Sequence, residues 1–182
     1  MSLTAPNQVW VADITYVRLR EEFIFLAMVL DAFSRRVLGW ELGESLQTSL
    51  ALAALNRALA ERSVCAGIIH HSDQGVQYAS PEYLDRLQAL DFQISMSRKG
   101  SPWENGRAES FMKTFKAEEV SLKQYRDIEQ ARRSIGHFIE DVYNQHRLHS
   151  ALGYLSPAQF ELNCANQPTQ PNKEAAARQL SK

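Results

Sequence analysis

The hydrophobic pattern changes character along the chain. Val9 to Val17 (VWVADITYV) mixes alternation with β-branched residues, and Glu22 to Leu30 is one apolar run. Arg35 to Leu42 (RRVLGWEL) follows after a short break at Asp31 to Ser34. Connections this short join antiparallel neighbours, so the first part predicts a three-stranded meander. Thr48 to Arg62 is rich in Ala and Leu and predicts a helix. A short strand is expected at Gly67 to His70. A helix should then start at Ser80-Pro81, an N-cap residue before a first-turn proline, and run to about Leu90. A brief strand near Phe92 to Ser95 comes next.

Ser97 to Gly100 reads as a polar breaker, and Ser101-Pro102-Trp103-Glu104 as a capping box opening a helix to about Glu118. Ile128, Ala131, Ile135, Phe138, Ile139 and Val142 mark a long amphipathic helix. Ser156-Pro157 signals a short last one. Beyond Asn163 the chain turns polar, and a disordered or loosely held tail is expected. Strands alternating with helices in this order predict a mixed sheet with helices on its faces.

Composition narrows this little. With 45% hydrophobic and 23% charged residues, the 182-residue chain has an ordinary globular make-up. No apolar run reaches the length of a membrane span, and no secretory signal is predicted. Cys65 and Cys164 cannot make a disulfide framework or a paired metal spacing, so a reducing cytosol is the default compartment. The net charge of −1 does not announce a polyanion partner. Its distribution is uneven: residues 1–97 hold 7 Lys/Arg against 11 Asp/Glu, residues 98–147 hold 10 against 8. Any polyanion site is therefore a local feature.

Three acids stand out by position. Asp13 interrupts a strand, where a carboxylate is costly unless paired or bound to a cation. Asp73 follows a strand in the run His-Ser-Asp-Gln-Gly, and strand ends are where α/β sheets place ligand groups. Glu109 lies two turns into the helix that Ser101 caps. Each also fits a plain role: a turn cap, a loop Asp-x-Gly and a solvated helix residue. At about 100° per residue, Ala108, Phe111, Met112 and Phe115 form the buried stripe of that helix. Asn105, Glu109, Lys113 and Lys116 form a second stripe beside it. Three carboxylates offer the hard oxygen ligands that Mg²⁺ or Mn²⁺ takes, and two lysines suit a phosphodiester backbone. The same pattern also describes a surface Glu–Lys pair one turn apart.

Five segments carry a resemblance. They are WVADITY (10–16), DAFSRRVLGW (31–40), HSDQGVQY (71–78), SMSRKGSPWENGRAES (95–110) and YNQHRLHSALGYLSP (143–157), with 35 residues between Asp73 and Glu109. In this order they resemble the catalytic core of bacterial insertion-sequence transposases of the second-reading-frame (OrfB) type, relatives of retroviral integrases. The resemblance runs from residue 7 to 162, leaving 1–6 as an N-terminal lead and 163–182 as the tail. It implies a ribonuclease H-like α/β fold, a five-stranded mixed sheet in the order 3-2-1-4-5 with helices on both faces. It implies a DDE polynucleotidyl transferase in which Asp13, Asp73 and Glu109 hold two Mg²⁺ or Mn²⁺ ions and cut and join DNA. Asp13 would serve both ions.

By the same resemblance Lys113, Lys116 and Asn105 would contact the DNA end. Ser97 to Ser101 would be a mobile loop beside the site, with Arg98 and Lys99 meeting DNA. The implied partners are transposon ends and target DNA, a second copy of the chain when assembled on DNA, and a DNA-recognition domain outside this chain. The implied location is the bacterial cytoplasm, at the nucleoid when active, with no membrane. Trp10, Trp40 and Trp103 read as packing residues, His70 and His71 as structural. His146-x-x-His149 lacks the cysteine pair of a zinc site, so Arg147 and His149 are expected to close the fold or touch DNA. Two rival classes remain open: a nuclease of the same fold without strand transfer, and a non-catalytic DNA-docking module.

Overall fold

A computed structural model describes residues 3–97 and 106–166. Five strands form one sheet: β1 (Val9–Arg18), β2 (Phe23–Asp31), β3 (Val37–Gly43), β4 (Ile69–Ser72) and β5 (Gln93–Met96). Their order is β3-β2-β1-β4-β5. The first three pair antiparallel, as their short connections require, and β4 and β5 add in parallel. The Asp31 carboxylate builds the β2–β3 turn by accepting from the N–H groups of Asn7 (2.6 Å), Phe33 (2.9 Å) and Ser34 (2.8 Å).

Helices cover both faces. On one, α1 (Thr48–Glu61) and α2 (Pro81–Gln88) pack on Trp10, Ala12, Ala27, Val29 and Leu38. On the other, α3 (Gly106–Glu118) and α4 (Ile128–Gly136) pack on Val11, Val17, Leu26, Met28 and Trp40. Strand alternation sorts these sets, since odd positions of β1 face one layer and even positions the other. The last helix, α5, spans Pro157–Asn166.

Several boundaries differ from the sequence reading. The strand expected at Gly67 to His70 lies at Ile69–Ser72. Gly67 adopts φ +89° and donates to Asp91 O at 2.9 Å, so it belongs to the turn before the strand. The amphipathic helix after Ile128 is α-helical only to Gly136 and then continues as a π-helical segment, His137–His146. In that wider coil Asn144 faces the sheet edge. Its amide accepts from Val37 N at 3.0 Å and donates to Val37 O at 2.9 Å, standing in for a neighbouring strand. The polar stretch read as tail from residue 163 begins inside α5, which runs to Asn166.

A half-buried ionic knot fastens α5. The Glu161 carboxylate accepts from Ser34 Oγ (2.6 Å), Arg36 (3.2 Å) and Arg62 (2.5 Å). Removing one member of such a set leaves the others desolvated and unpaired. Glu161→Ala is therefore expected to cost about 2 kcal/mol or more. Urea unfolding checks this, and an unchanged midpoint would show that the knot contributes nothing net.

Candidate active site

The site starts from a register. β1 and β4 run parallel with Val9 opposite Ile69, Trp10 opposite His70 and Val11 opposite His71. Carried two residues past the paired segment, that register would bring Asp13 opposite Asp73, just beyond the end of β4. Register partners on neighbouring parallel strands lie about 5 Å apart and share a face of the sheet. That face is the one α3 covers. Asp73 stands one residue past the end of β4, at the carboxyl end of a parallel strand beside the central strand.

Local sequence fixes both acids. The Ile14 N–H donates to Asp13 Oδ1 at 2.8 Å. The Gly75 N–H donates to Asp73 Oδ1 at 2.9 Å. A Cβ at position 75 would stand 2.9 Å from Asp73 Oδ1 and 3.3 Å from Gln77 Oε1, so any other residue there would push these two side chains aside. Gln77 in turn donates to Leu46 O at 3.0 Å, tying this loop to the connection between β3 and α1.

Asp13 and Asp73 open onto a cleft of ≈ 430 Å³ that Tyr16, Leu46, Gln77 and Tyr78 also line. Burial pushes the Asp13 carboxyl up to about 6, against the lowering effect of the Ile14 N–H. The negative charges of Asp73 and Glu109 raise it further, and the Lys116 ammonium lowers it. Asp13 thus senses both other acids and one lysine. The Tyr78 hydroxyl is buried beside this cleft and has no hydrogen-bond partner among the described residues. Asp13 and Asp73 both act on it electrostatically.

The expected residues do not all converge. Among the described residues no three His, Cys, Asp or Glu side chains stand close enough to hold a metal ion as placed. Asp13 and Asp73 share the cleft, while Glu109, exposed in the first turn of α3, does not line it. Lys116 sits with Nζ 4.6 Å above the Tyr16 ring, and Lys113 is exposed on the same helix. Arg98, Lys99, Asn105, Trp103 and the Ser101 capping box lie outside the described residues.

Ser97, expected to begin the mobile loop, is instead buried. Its N–H donates to Ser72 O at 2.9 Å and its hydroxyl meets His71 Nε2 at 3.0 Å. It therefore extends the β4–β5 pairing. The donor set suits a hard divalent cation all the same. It offers carboxylate oxygens only, and the mutual repulsion that raises Asp13 is what a bound cation offsets.

The flanking residues are structural. His70 is buried and shares a hydrogen bond with the Tyr83 hydroxyl at 2.9 Å, and burial lowers its pKa to about 3, so the ring is neutral. Trp10 packs on Phe92, and Trp40 donates to Glu140 at 3.0 Å. His146 lies 3.4 Å from Asp141, whereas His149 packs edge-on against Tyr143. Arg147 grips Glu118 of α3 with two nitrogens, at 2.9 and 2.8 Å. This motif closes the fold between the π-helical segment and α3.

Sequence reasoning passed over Tyr16, Gln77 and Tyr78 as cleft residues. Tyr16 is 57% exposed on the central strand, which only the fold reveals. Gln77 and Tyr78 fall inside the 71–78 segment but have no periodicity that would single them out.

Comparison with known proteins agrees with this architecture. One integrase core domain model matches residues 4–102, and a second matches residues 90–157. The chain is 40% identical over 158 residues to the transposase for insertion sequence element IS904 of Lactococcus lactis subsp. lactis (strain IL1403). That match covers 87% of this chain and 62% of the relative. It is 39% identical over 158 residues to transposase InsF for insertion sequence IS3A of Escherichia coli (strain K12), covering 87% and 55%. The chain therefore spans little more than half the length of these relatives.

Among solved structures, the HTLV-2 integrase catalytic core domain in complex with magnesium superposes with a TM-score of 0.63 at 16% identity. That superposition covers 86% of this chain and 97% of the other. A chain of the simian T-cell lymphotropic virus intasome in complex with PP2A regulatory subunit B56 gamma gives 0.71 at 19% identity, covering 92% and 57%. The Mos1 transposase catalytic domain, solved with Raltegravir and Mn, gives 0.60 at 16% identity, covering 74% and 71%. At these identities the likeness speaks for the fold, which is ribonuclease H-like. With the family model matching more than half of its length, the chain belongs to the integrase core domain family.

Proposed function

We propose that this chain carries the chemistry of a transposase: metal-dependent cleavage of DNA and joining of the freed 3′ end to a new phosphodiester. The observation that carries this reading is the cleft that Asp13 and Asp73 line together, where Asp13 also feels Glu109 and Lys116. Asp13, Asp73 and Glu109 are the residues that would hold the metal. Glu109, which does not line the cleft as placed, would have to move toward it to complete the set. Two Mg²⁺ or Mn²⁺ ions bound there would supply an activated hydroxyl nucleophile and stabilise the departing 3′ oxygen. The magnesium and manganese named for the HTLV-2 and Mos1 relatives support a divalent cofactor.

The chain's own residues orient the reaction. Asp13 feels the charge of both other acids and is the ligand suited to be shared. Asp73 is fixed by the Gly75 N–H. Lys113 and Lys116 supply positive charge for DNA phosphates, with Arg98, Lys99 and Asn105 assigned to the same DNA by sequence. Donor ends and target DNA are the partners, a second copy of the chain joins on DNA, and end recognition lies elsewhere in the full-length protein. Among the described residues no helix is long and apolar enough to cross a membrane.

The test is a strand-joining assay with a precut DNA end and Mg²⁺. Joined product from wild type and none from Asp73→Asn supports the proposal. Nicking without joining would favour a nuclease, and neither activity would favour a docking module.

Replacing Lys113 and Lys116 with Ala should weaken DNA binding across all sequences. The slope of log K against log salt should fall by up to about two. Titration of labelled duplex at several salt concentrations reads the slope, and identical slopes would retire the phosphate assignment.

A further inference from the structure

Two exposed aromatic rings stand beside the cleft, and the mechanism above uses neither. Tyr16 is 57% exposed and Phe23 51%. They meet edge-on, with centroids 5.7 Å apart and planes at 81°. Each ring carries a cation: Lys116 Nζ lies 4.6 Å from the Tyr16 centroid, and the Arg18 guanidinium 5.9 Å from that of Phe23. Tyr16 also lines the cleft that holds Asp13 and Asp73. Lys116 reaches Tyr16 from α3 while acting on Asp13.

We propose that Tyr16, buttressed by Phe23 and flanked by Lys116, is a stacking site for an unpaired base at the end of the DNA strand entering the Asp13–Asp73 cleft. This rests on the DNA-processing reading above. An exposed ring presents a π face that any base can cover, and a neighbouring ammonium supplies the charge for the adjoining phosphate. Inside a duplex both faces of each base are already covered by its neighbours, and only the outer face of a terminal pair is free. A ring at the mouth of a strand-cutting cleft therefore selects a frayed or single-stranded end. Phe23, set perpendicular, fixes the Tyr16 ring plane without covering both its faces. Lys116 rests on the ring in the free protein and turns to the phosphate when a base displaces it. The competing account is a hairpin-stabilising aromatic pair across β1 and β2. That account affects stability alone.

Fluorescence anisotropy with a labelled oligothymidylate, a blunt duplex and an oligonucleotide of abasic sites separates the two. Tyr16→Ala should weaken oligothymidylate binding about five-fold or more. Tyr16→Trp should restore it, and Tyr16→Leu should not. Duplex affinity should change less than about two-fold, and the abasic strand should bind all variants alike. Equal oligothymidylate affinity for wild type and Tyr16→Ala overturns the proposal, as does full rescue by Tyr16→Leu. Should Tyr16→Ala fail to fold, the Trp and Leu variants carry the comparison. The same series in an Asp73→Asn background isolates binding from chemistry. A Tyr16 effect that persists there supports the stacking site whatever the strand-joining assay returns, and its absence there, with the Asp73-intact protein still joining strands, rejects stacking alone.

Discussion

Asp13→Asn is expected to lower metal-dependent DNA cleavage and joining by about a thousand-fold or more, while making the metal-free protein more stable. The loss follows from removing the most central of three ligands: several kcal/mol of transition-state stabilisation correspond to about three powers of ten. The gain follows from the environment of Asp13, whose carboxyl is raised to about 6 chiefly by burial and then by the charges of Asp73 and Glu109. A group whose pKa is higher in the folded than in the unfolded chain helps folding only while protonated. Its favourable contribution is complete below about pH 4 and is lost as pH rises through about 6. Above that, the ionised carboxylate opposes folding, and the neutral amide removes the opposition.

The expected gain is about 1–2 kcal/mol near pH 8, shrinking toward zero near pH 4. Melting curves of both proteins across that range check it. Mg²⁺ should raise the wild-type melting temperature and leave Asp13→Asn unmoved, since a ligand stabilises only the form that binds it. A large loss of melting temperature at neutral pH would make Asp13 a structural residue and sink the ligand assignment.

Much of this site was legible in the sequence because it is local. The Asp73 turn needs only an Asp two residues before a Gly. The meander, α1 and α2 announce themselves by periodicity and by the Ser80 cap, whose hydroxyl accepts from Tyr83 N at 3.3 Å. The meeting of Asp13 and Asp73 in one cleft is not local, since it depends on which residue of β4 pairs with Val11. A two-residue error in placing that strand is enough to hide it. The π-helical segment escaped for a similar reason. Its apolar spacing is close to an α-helix, and what distinguishes it is long-range: the Arg147 N–H reaching back five residues to Val142 O, and Asn144 bonded to Val37. The Tyr16–Lys116 contact joins two layers of the fold, so no sequence window contains it.

The largest expected loss of stability lies far from the acids, at Gly39. β3 is the outer strand of the sheet, and α1 crosses it so closely that a Cβ at position 39 would stand 2.3 Å from Ala54 O and 2.4 Å from Ala58 N. Both are helix backbone, so no rotamer change relieves the clash. α1 must lift away from Leu38, Val29 and Ala27, which it helps to bury. The alanines at 51, 54 and 58 are the matching surface, small side chains that let helix and strand approach. Gly39→Ala is expected to cost about 3 kcal/mol or more, at the upper end for overpacking because the neighbours are main chain. Gly43→Ala, on the same strand, would meet only the Leu50 side chain at 3.1 Å. It should cost under about 1 kcal/mol, since that side chain can turn aside. Urea unfolding of the two variants side by side isolates the close approach from the general effect of a glycine in a strand. If both lose the same small amount, α1 can move freely on β3, and the glycine is not what sets that packing distance.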